Sequence, residues 1–338
     1  MDLESIILSE KNSPKGIPIK NKQFINYLIK NINFNYNVKG NELTFPAPQP
    51  VSIEKKNFSK LTEYKYNISL KLDGVRFLMY FIKDKHDKNQ CIIINRALNF
   101  YNIIIHAEDT LYNGTLLDGE IIYNSVDNKW DFVVHDALIL CGNKINKLCH
   151  SMRLSDTKCC LESFLIDNEN NVLNIKVKEF LPFENFADFI KDVYKKSENN
   201  DGIIFMPENL PVISGTQYSM LKWKPENKHT FDFLLKETDF GFEAYVFHLG
   251  NLNIFANIHS KIEEGKEFIG KLKQLNNYKN ECIVECTFDK EKNNFIPILV
   301  RTDKTHPNSL RTIERTLFNI SENIQIEDFM NIEVSKNQ

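Results

Sequence analysis

The sequence predicts an α+β protein built as two domains, the second a small antiparallel barrel. Three observations carry that prediction. The chain has 338 residues, long enough for two domains with their own cores. From Tyr66 to Leu140 one strand-like run follows another, with helical periodicity at Arg153–Leu165 and Phe186–Ser197. Beyond Pro225–Lys228, five short strands with turns between them suit a small barrel such as an OB-fold.

Taken in order, residues 1–40 are polar and rich in Asn and Lys, with a helix expected over Lys22–Asn31. Pro46, Pro48 and Pro50 impose an extended segment that is neither helix nor central strand. Ser52–Leu61 reads as a short helix with Ser52 as N-cap. Tyr66–Leu70 and Phe77–Ile82 read as strands joined by a turn at Asp73-Gly74, where glycine takes positive φ without a steric penalty. Ile92–Asn95, Leu116–Tyr123 and Trp130–Leu140 are further strands, the last two joined by a hairpin loop at residues 124–128. Phe186, Phe189, Ile190 and Val193 form a helical stripe. Ile203–Met206 and Tyr218–Lys224 complete the first part. In the second, Phe231–Leu235, Phe240–Leu249, Leu252–Ile258, Glu281–Phe288 and Ile296–Arg301 are strands, with a helix expected over Gly265–Leu275. Ser309–Phe318 closes the chain as a helix.

Composition excludes several classes. Hydrophobic content of 42% and charged content of 26% are ordinary for a globular chain. A net charge of -3 argues against a globally basic nucleic-acid coat while leaving room for a local basic cleft. The seven cysteines are odd in number, two are adjacent, and none form Cys-x-x-Cys. Neither a disulfide framework nor a structural zinc site is expected. The start is not a secretory signal, and no apolar run is long enough to span a membrane.

The chemistry-bearing stretches share one character: charged residues placed at strand ends. Lys71-Leu72-Asp73-Gly74-Val75-Arg76 ends one strand and opens the next. Lys71 and Asp73 share a face if the strand period holds to the turn. A lysine there suits a nucleophilic amine, which attacks only once deprotonated. Asp118-Gly119-Glu120 places two carboxylates on one strand face, able to accept from a ribose hydroxyl or help hold a metal ion. Asp201-Gly202 offers another acid at a strand start. Lys222 and Lys224 lie on one face, where a phosphate relieves their repulsion. Arg301 and Lys304 follow the last barrel strand.

In this order the stretches resemble the covalent nucleotidyltransferases: mRNA capping guanylyltransferases and polynucleotide ligases. Lys71 to Arg76 matches the family's Lys-x-Asp-Gly-x-Arg, Asp118–Glu120 its Asp-Gly-Glu, Asp201–Phe205 its Asp-Gly motif, and Lys222-Trp223-Lys224 its Lys-x-Lys. Arg301-Thr-Asp-Lys304-Thr-His-Pro307-Asn308 resembles the capping-enzyme ending rather than the ligase one, and Thr230–Phe233 resembles an extra capping-enzyme motif. The likeness is greatest to the compact type of Chlorella viruses and runs from about Phe45 to Asp328, leaving residues 1–44 barely covered. One position departs: His135 stands in Val134-His135-Asp136 where the family has an aromatic that stacks on guanine.

The resemblance implies a nucleotidyltransferase domain of the ATP-grasp-like ligase and capping type over residues 1–228. An OB-fold domain over 229–320 would follow across a cleft, and a segment over 321–338 would pack back on the first domain. It implies that Lys71 forms lysyl-GMP from GTP and passes GMP to a 5′-diphosphate RNA end. Arg76 would adjoin the nucleotide cradle together with Asp73, Gly74 and Gly202. Arg96 and Glu120 would take the ribose, and Lys178 would lie near guanine O6. Lys222 and Lys224 would hold the α-phosphate. Arg301 and Lys304, with Asp232, would hold the outer phosphates. Mg²⁺ or Mn²⁺ is expected, with Asp201 and Glu120 as its carboxylates. Expected partners are a separate RNA triphosphatase and RNA polymerase. The expected location is intracellular: the nucleus for a cellular protein, the virion or the infected cell's nucleus or cytoplasm for a viral one. The alternatives are an ATP-dependent DNA or RNA ligase and a non-catalytic binding platform.

Overall fold

The computed structural model describes residues 5–6, 14–36, 45, 47–197, 200–238, 241–259, 281–301 and 304–332. The helix expected over residues 265–275 lies outside them. Two compact units emerge: residues 1–223 with 329–338, and residues 224–328. No helix among the described residues is long and apolar enough to cross a membrane.

In the first unit the strands are β1 (Ser5–Ile6), β2 (Lys15–Pro18), β3 (Gln49–Ser52), β4 (Tyr66–Leu72), β5 (Val75–Lys83), β6 (Asn89–Asn95) and β7 (Phe100–Ile103). They continue as β8 (Thr115–Asn124), β9 (Lys129–Leu140), β10 (Asn143–Lys144), β11 (Asn174–Val177), β12 (Leu181–Pro182), β13 (Asn200–Pro207) and β14 (Thr216–Trp223). The helices are α1 (Lys22–Asn35), α2 (Phe58–Glu63), α3 (His150–Phe164) and α4 (Phe186–Phe189), which runs on into a π turn at Ile190–Tyr194. One sheet is ordered β1-β2-β7-β6-β5-β8-β9-β10, with β11 parallel to β9. A second is ordered β12-β4-β13-β14-β3.

The near-continuous apolar run of β5 follows from its position, because a strand covered on both faces needs no polar alternation. Phe77, Met79 and Phe81 share a core with Leu161 of α3. Leu78, Tyr80 and Ile82 share another with Leu28 and Ile32 of α1. The proline-bearing β3 sits at an edge, where a missing N–H costs little.

Two local expectations are corrected. Ser52 ends β3 and caps nothing. The helical turn instead starts after Glu54, whose N–H donates to Asn57 Oδ1 at 3.0 Å and whose carbonyl accepts from Asn57 N at 2.7 Å. Asp73-Gly74 is not a hairpin turn, because β4 and β5 belong to different sheets and the pair is a crossover. Gly74 lacks positive φ. A Cβ there would stand 2.5 Å from Ile122 Cγ2 and 2.7 Å from the Ile121 carbonyl oxygen, so close approach to β8 requires the glycine. The short strands β7 and β11 were not anticipated, being too brief to show a period.

The second unit holds β15 (Phe231–Thr238), β16 (Gly241–His248), β17 (Asn251–His259), β18 (Glu281–Asp289) and β19 (Asn294–Val300), in the antiparallel order β17-β16-β15-β18-β19. Phe231, Phe233 and Leu235 alternate inward from the central strand. Helix α5 (Leu310–Glu322) starts at Ser309, whose Oγ accepts from Thr312 N at 3.2 Å, and adds Ile313 and Ile320 to that core. A last helix, α6 (Ile326–Met330), carries Phe329, which packs in the first unit against Phe58, Phe186, Phe205 and Trp223.

Candidate active site

The second sheet has one apolar and one chemical face. Ile68 pairs with Phe205, which pairs with Leu221, and Leu70 pairs with Ile203, which pairs with Trp223; all of these side chains are buried except Leu70, which is half-buried. The alternate register carries Ser69, Ile204 and Lys222, and the strand period puts Lys71 on their face. Lys71 Nζ donates to Asp201 Oδ2. Asp201 reaches it because β13 bulges between Asn200 and Ile203, with Gly202 at φ +129° inside the bulge. Asp73 falls beyond the end of β4 and is exposed, so the strand period does not carry it onto the face of Lys71.

The first sheet supplies the neighbouring charges. Glu120 on β8 is half-buried, and burial pushes its carboxyl above the ordinary value. Lys178, Lys71, Arg76 and Arg96, in that order, pull it down again. The site residues of both sheets therefore share one electrostatic field. Lys178 follows β11 and is held through its N–H, which donates to the Val134 carbonyl at 2.8 Å. Burial lowers its ammonium to about 8, against Glu120 and with help from Lys71. Arg76 is buried and already committed. It donates to Asp118 through Nε at 2.9 Å and Nη2 at 2.5 Å, and to the Pro48 carbonyl at 2.7 Å. Such a two-pronged pair fixes the geometry of both side chains.

His135 lies on the face of Val133, which pairs with Glu120, as period two from Val133 gives, and the pattern breaks only beyond it. Asp118 pairs with Asp136 and Gly119 with Val134, which leaves His135 as the extra residue of a β-bulge. Period two would have placed Ala137 on that face too. Ala137 instead faces the core with Phe132 and Val134, while His135 Nε2 lies 3.5 Å from Asp118 Oδ1. Burial, then Arg76 and Lys178, hold the imidazole well below 6.5, so it is neutral at neutral pH.

The second unit carries its own cluster. Asp232 on β15 accepts from Arg301 Nη1 at 3.3 Å, from Lys304 Nζ and from Asn308 Nδ2 at 3.1 Å. Arg301 also donates to Glu285 Oε2 at 3.1 Å. Lys224 is the first residue of this unit. Sequence reasoning gave no role to Glu285, which only the pairing of β15 with β18 brings opposite Asp232. It also gave none to Asn308, although Asn308 ends the matched motif.

No group of three His, Cys, Asp or Glu side chains suited to a metal ion occurs among the described residues. Mg²⁺ in phosphoryl-transfer sites takes one or two carboxylates and the substrate phosphates, a smaller protein donor set than three side chains.

A strand-borne lysine flanked by carboxylates and ringed by cations is the arrangement of a nucleotidyltransferase. The chain belongs to the mRNA capping enzyme family: the profile for the catalytic domain matches residues 10–226 and that for the C-terminal domain matches residues 218–330. By family it is an enzyme, the mRNA guanylyltransferase. The mRNA-capping enzyme subunit alpha of Schizosaccharomyces pombe is 29% identical over 325 residues, covering 85% of this chain and 79% of that one. The mRNA-capping enzyme of Danio rerio is 26% identical over 287 residues, covering 79% of this chain but 46% of that one, so this chain spans about half the length of that relative. Among solved structures, mycobacterial DNA ligase D complexed with ATP and MES gives a TM-score of 0.44 at 13% identity, covering 77% of this chain and 96% of that one.

Proposed function

We propose that Lys71 Nζ, once deprotonated, attacks the α-phosphorus of GTP. An N–P bond forms, the bond to pyrophosphate breaks, and lysyl-GMP results. A 5′-diphosphate RNA end then attacks the same phosphorus, the N–P bond breaks, and GMP passes to the RNA as a GpppN cap. The observation that carries this reading is the single charged face on which Lys71 meets Asp201 within the field of Glu120 and Lys178.

Each remaining residue has a proposed part. Glu120 and Arg96 hold the ribose. Lys178 and His135 meet the base. Asp73, Gly74 and Gly202 shape the cradle, and Arg76 stiffens it through Asp118. Lys222 and Lys224 hold the α-phosphate and offset the charge that builds there. Arg301 and Lys304, organised by Asp232, hold the leaving phosphates. Asp201 and Glu120 would hold Mg²⁺ or Mn²⁺ with the substrate phosphates; such an ion, when bound, neutralises phosphate charge.

The antiparallel second unit supports an OB-type barrel, and the packing of Phe329 supports a C-terminal segment that returns to the first domain. The proposed setting is intracellular, beside a separate RNA triphosphatase and RNA polymerase.

Incubation with α-labelled GTP or ATP, followed by denaturing electrophoresis, tests the reading. Label carried by the protein from GTP, and released onto diphosphate RNA, is expected. Label from ATP alone would assign the chain to the ligase reaction, and label from neither would leave only a binding platform.

A further inference from the structure

The bulge in β9 is held from behind. An extra residue in a strand bends it and re-aims the side chain it carries, but the strand can slip back towards regular register. Two residues near the start of α3 oppose that slip. His150 is wholly buried, with Nε2 3.2 Å from the His135 carbonyl oxygen. Its Nδ1 lies 3.4 Å from the Asn67 amide nitrogen. One tautomer satisfies both contacts: Nε2–H donates to the carbonyl, and Nδ1 accepts from Asn67. Asn67 in turn donates to Glu208 at 2.5 Å.

One turn further on, Arg153 grips the adjacent Asp136. Nε and Nη2 donate to its two carboxylate oxygens at 2.7 and 2.8 Å. Arg153 is 1% exposed and Asp136 3% exposed, so this is a buried, two-pronged pair. The backbone of residue 135 and the side chain of residue 136 are thus both tied to one helix. Neither His150 nor Arg153 belongs to a nucleotide motif.

We propose that His150 and Arg153 are positioning residues for nucleotide recognition, clamping the β9 bulge so that the His135 imidazole stays aimed at the pocket beside Asp118. The proposal rests on the reading that this pocket takes GTP. Lys71 stands on the other sheet, so loosening the clamp weakens the hold on GTP and leaves the chemical step nearly intact.

The test is single-turnover adduct formation by the full chain across GTP concentrations. His150→Phe keeps an aromatic ring and removes the donor, whereas His150→Gln keeps an N–H that can reach the carbonyl. His150→Phe is expected to raise the half-saturating GTP concentration about five- to tenfold, the scale of one buried hydrogen bond. The rate at saturation should change by less than about twofold, as binding alone is affected. His150→Gln should restore most of the affinity. Arg153→Lys keeps charge but loses the fork, and should show the same split. In a His135→Ala background, His150→Phe should have no further effect on half-saturation, because it acts through residue 135.

An undiminished affinity loss in that background, a loss confined to the saturated rate, or equal behaviour of the Phe and Gln variants would overturn the clamp. Wild-type protein that forms no adduct from GTP would overturn the functional reading itself, an outcome distinct from each of these.

Discussion

Lys71 donates to the carboxylate of Asp201, 130 residues further along the chain and on the adjacent strand of the same sheet. An ammonium held in this way is well oriented but cannot attack, since its lone pair carries a proton. Asp201 must therefore help more than it hinders, by orienting the amine and by serving a cation. Asp201→Asn keeps the shape and removes the charge. Adduct formation should fall about 100-fold or more, the scale of a lost acid–base or charge partner. A faster rate would make Asp201 a brake on Lys71 instead.

Arg301 is shared between Asp232 and Glu285. Its proposed ligands are the phosphates that leave in the first step and are absent from lysyl-GMP. Arg301→Ala should cripple adduct formation from GTP, while GMP transfer from preformed adduct to diphosphate RNA suffers far less. Equal losses in the two half-reactions would assign Arg301 a different task.

Lys178 gives a pH signature with a definite sign. Folding lowers its ammonium from 10.5 to about 8. Between those values the unfolded chain holds a proton that the folded one has lost, so this residue's contribution to stability rises with pH through that window. Below about pH 8 both states are protonated and the penalty of burying the charge is fully present. Urea unfolding of wild type and Lys178→Met, compared from neutral pH to about pH 10, should show wild type gaining on the variant. A constant difference would mean that Lys178 is not desolvated.

Phe329 is 1% exposed and meets the rings of Phe58, Phe186, Phe205 and Trp223 at centroid distances of 5.4, 5.7, 5.1 and 5.8 Å. Phe329→Ala should destabilise the first unit by about 3–5 kcal/mol, the usual cost of emptying a buried aromatic site. Denaturant unfolding followed by tryptophan fluorescence, with Trp223 against the ring, reads this directly. A cost below about 1 kcal/mol, the level of an ordinary surface change, would show that the helix end is not part of that core.

Much of this was legible from residue patterns. The strands that carry Lys71, Glu120, Asp201 and Lys222 show period two or a dense apolar run, and their charged ends stand out against it. What stayed hidden was non-local. Nothing in Asp73-Gly74 distinguishes a hairpin turn from a crossover between sheets, because the glycine answers to Ile121 and Ile122 rather than to its own φ. Counting in twos along β9 sets Ala137 on the face of His135, and a bulge turns it into the core without a sequence mark. Arg153 read as a helix start, and its bond to Asp136 exists only once α3 packs on β9. Glu285 needed the register of β15 with β18.

The central claim is that Lys71 is the nucleophile. Peptide mapping by mass spectrometry after reaction with GTP tests it most directly, with wild type compared to Lys71→Arg. A guanidinium stays protonated and cannot attack. The account predicts one GMP phosphoramidate in wild type, on Lys71, and none in the variant. GMP on Lys178, Lys222 or any other lysine, or an adduct of full yield in Lys71→Arg, would contradict it.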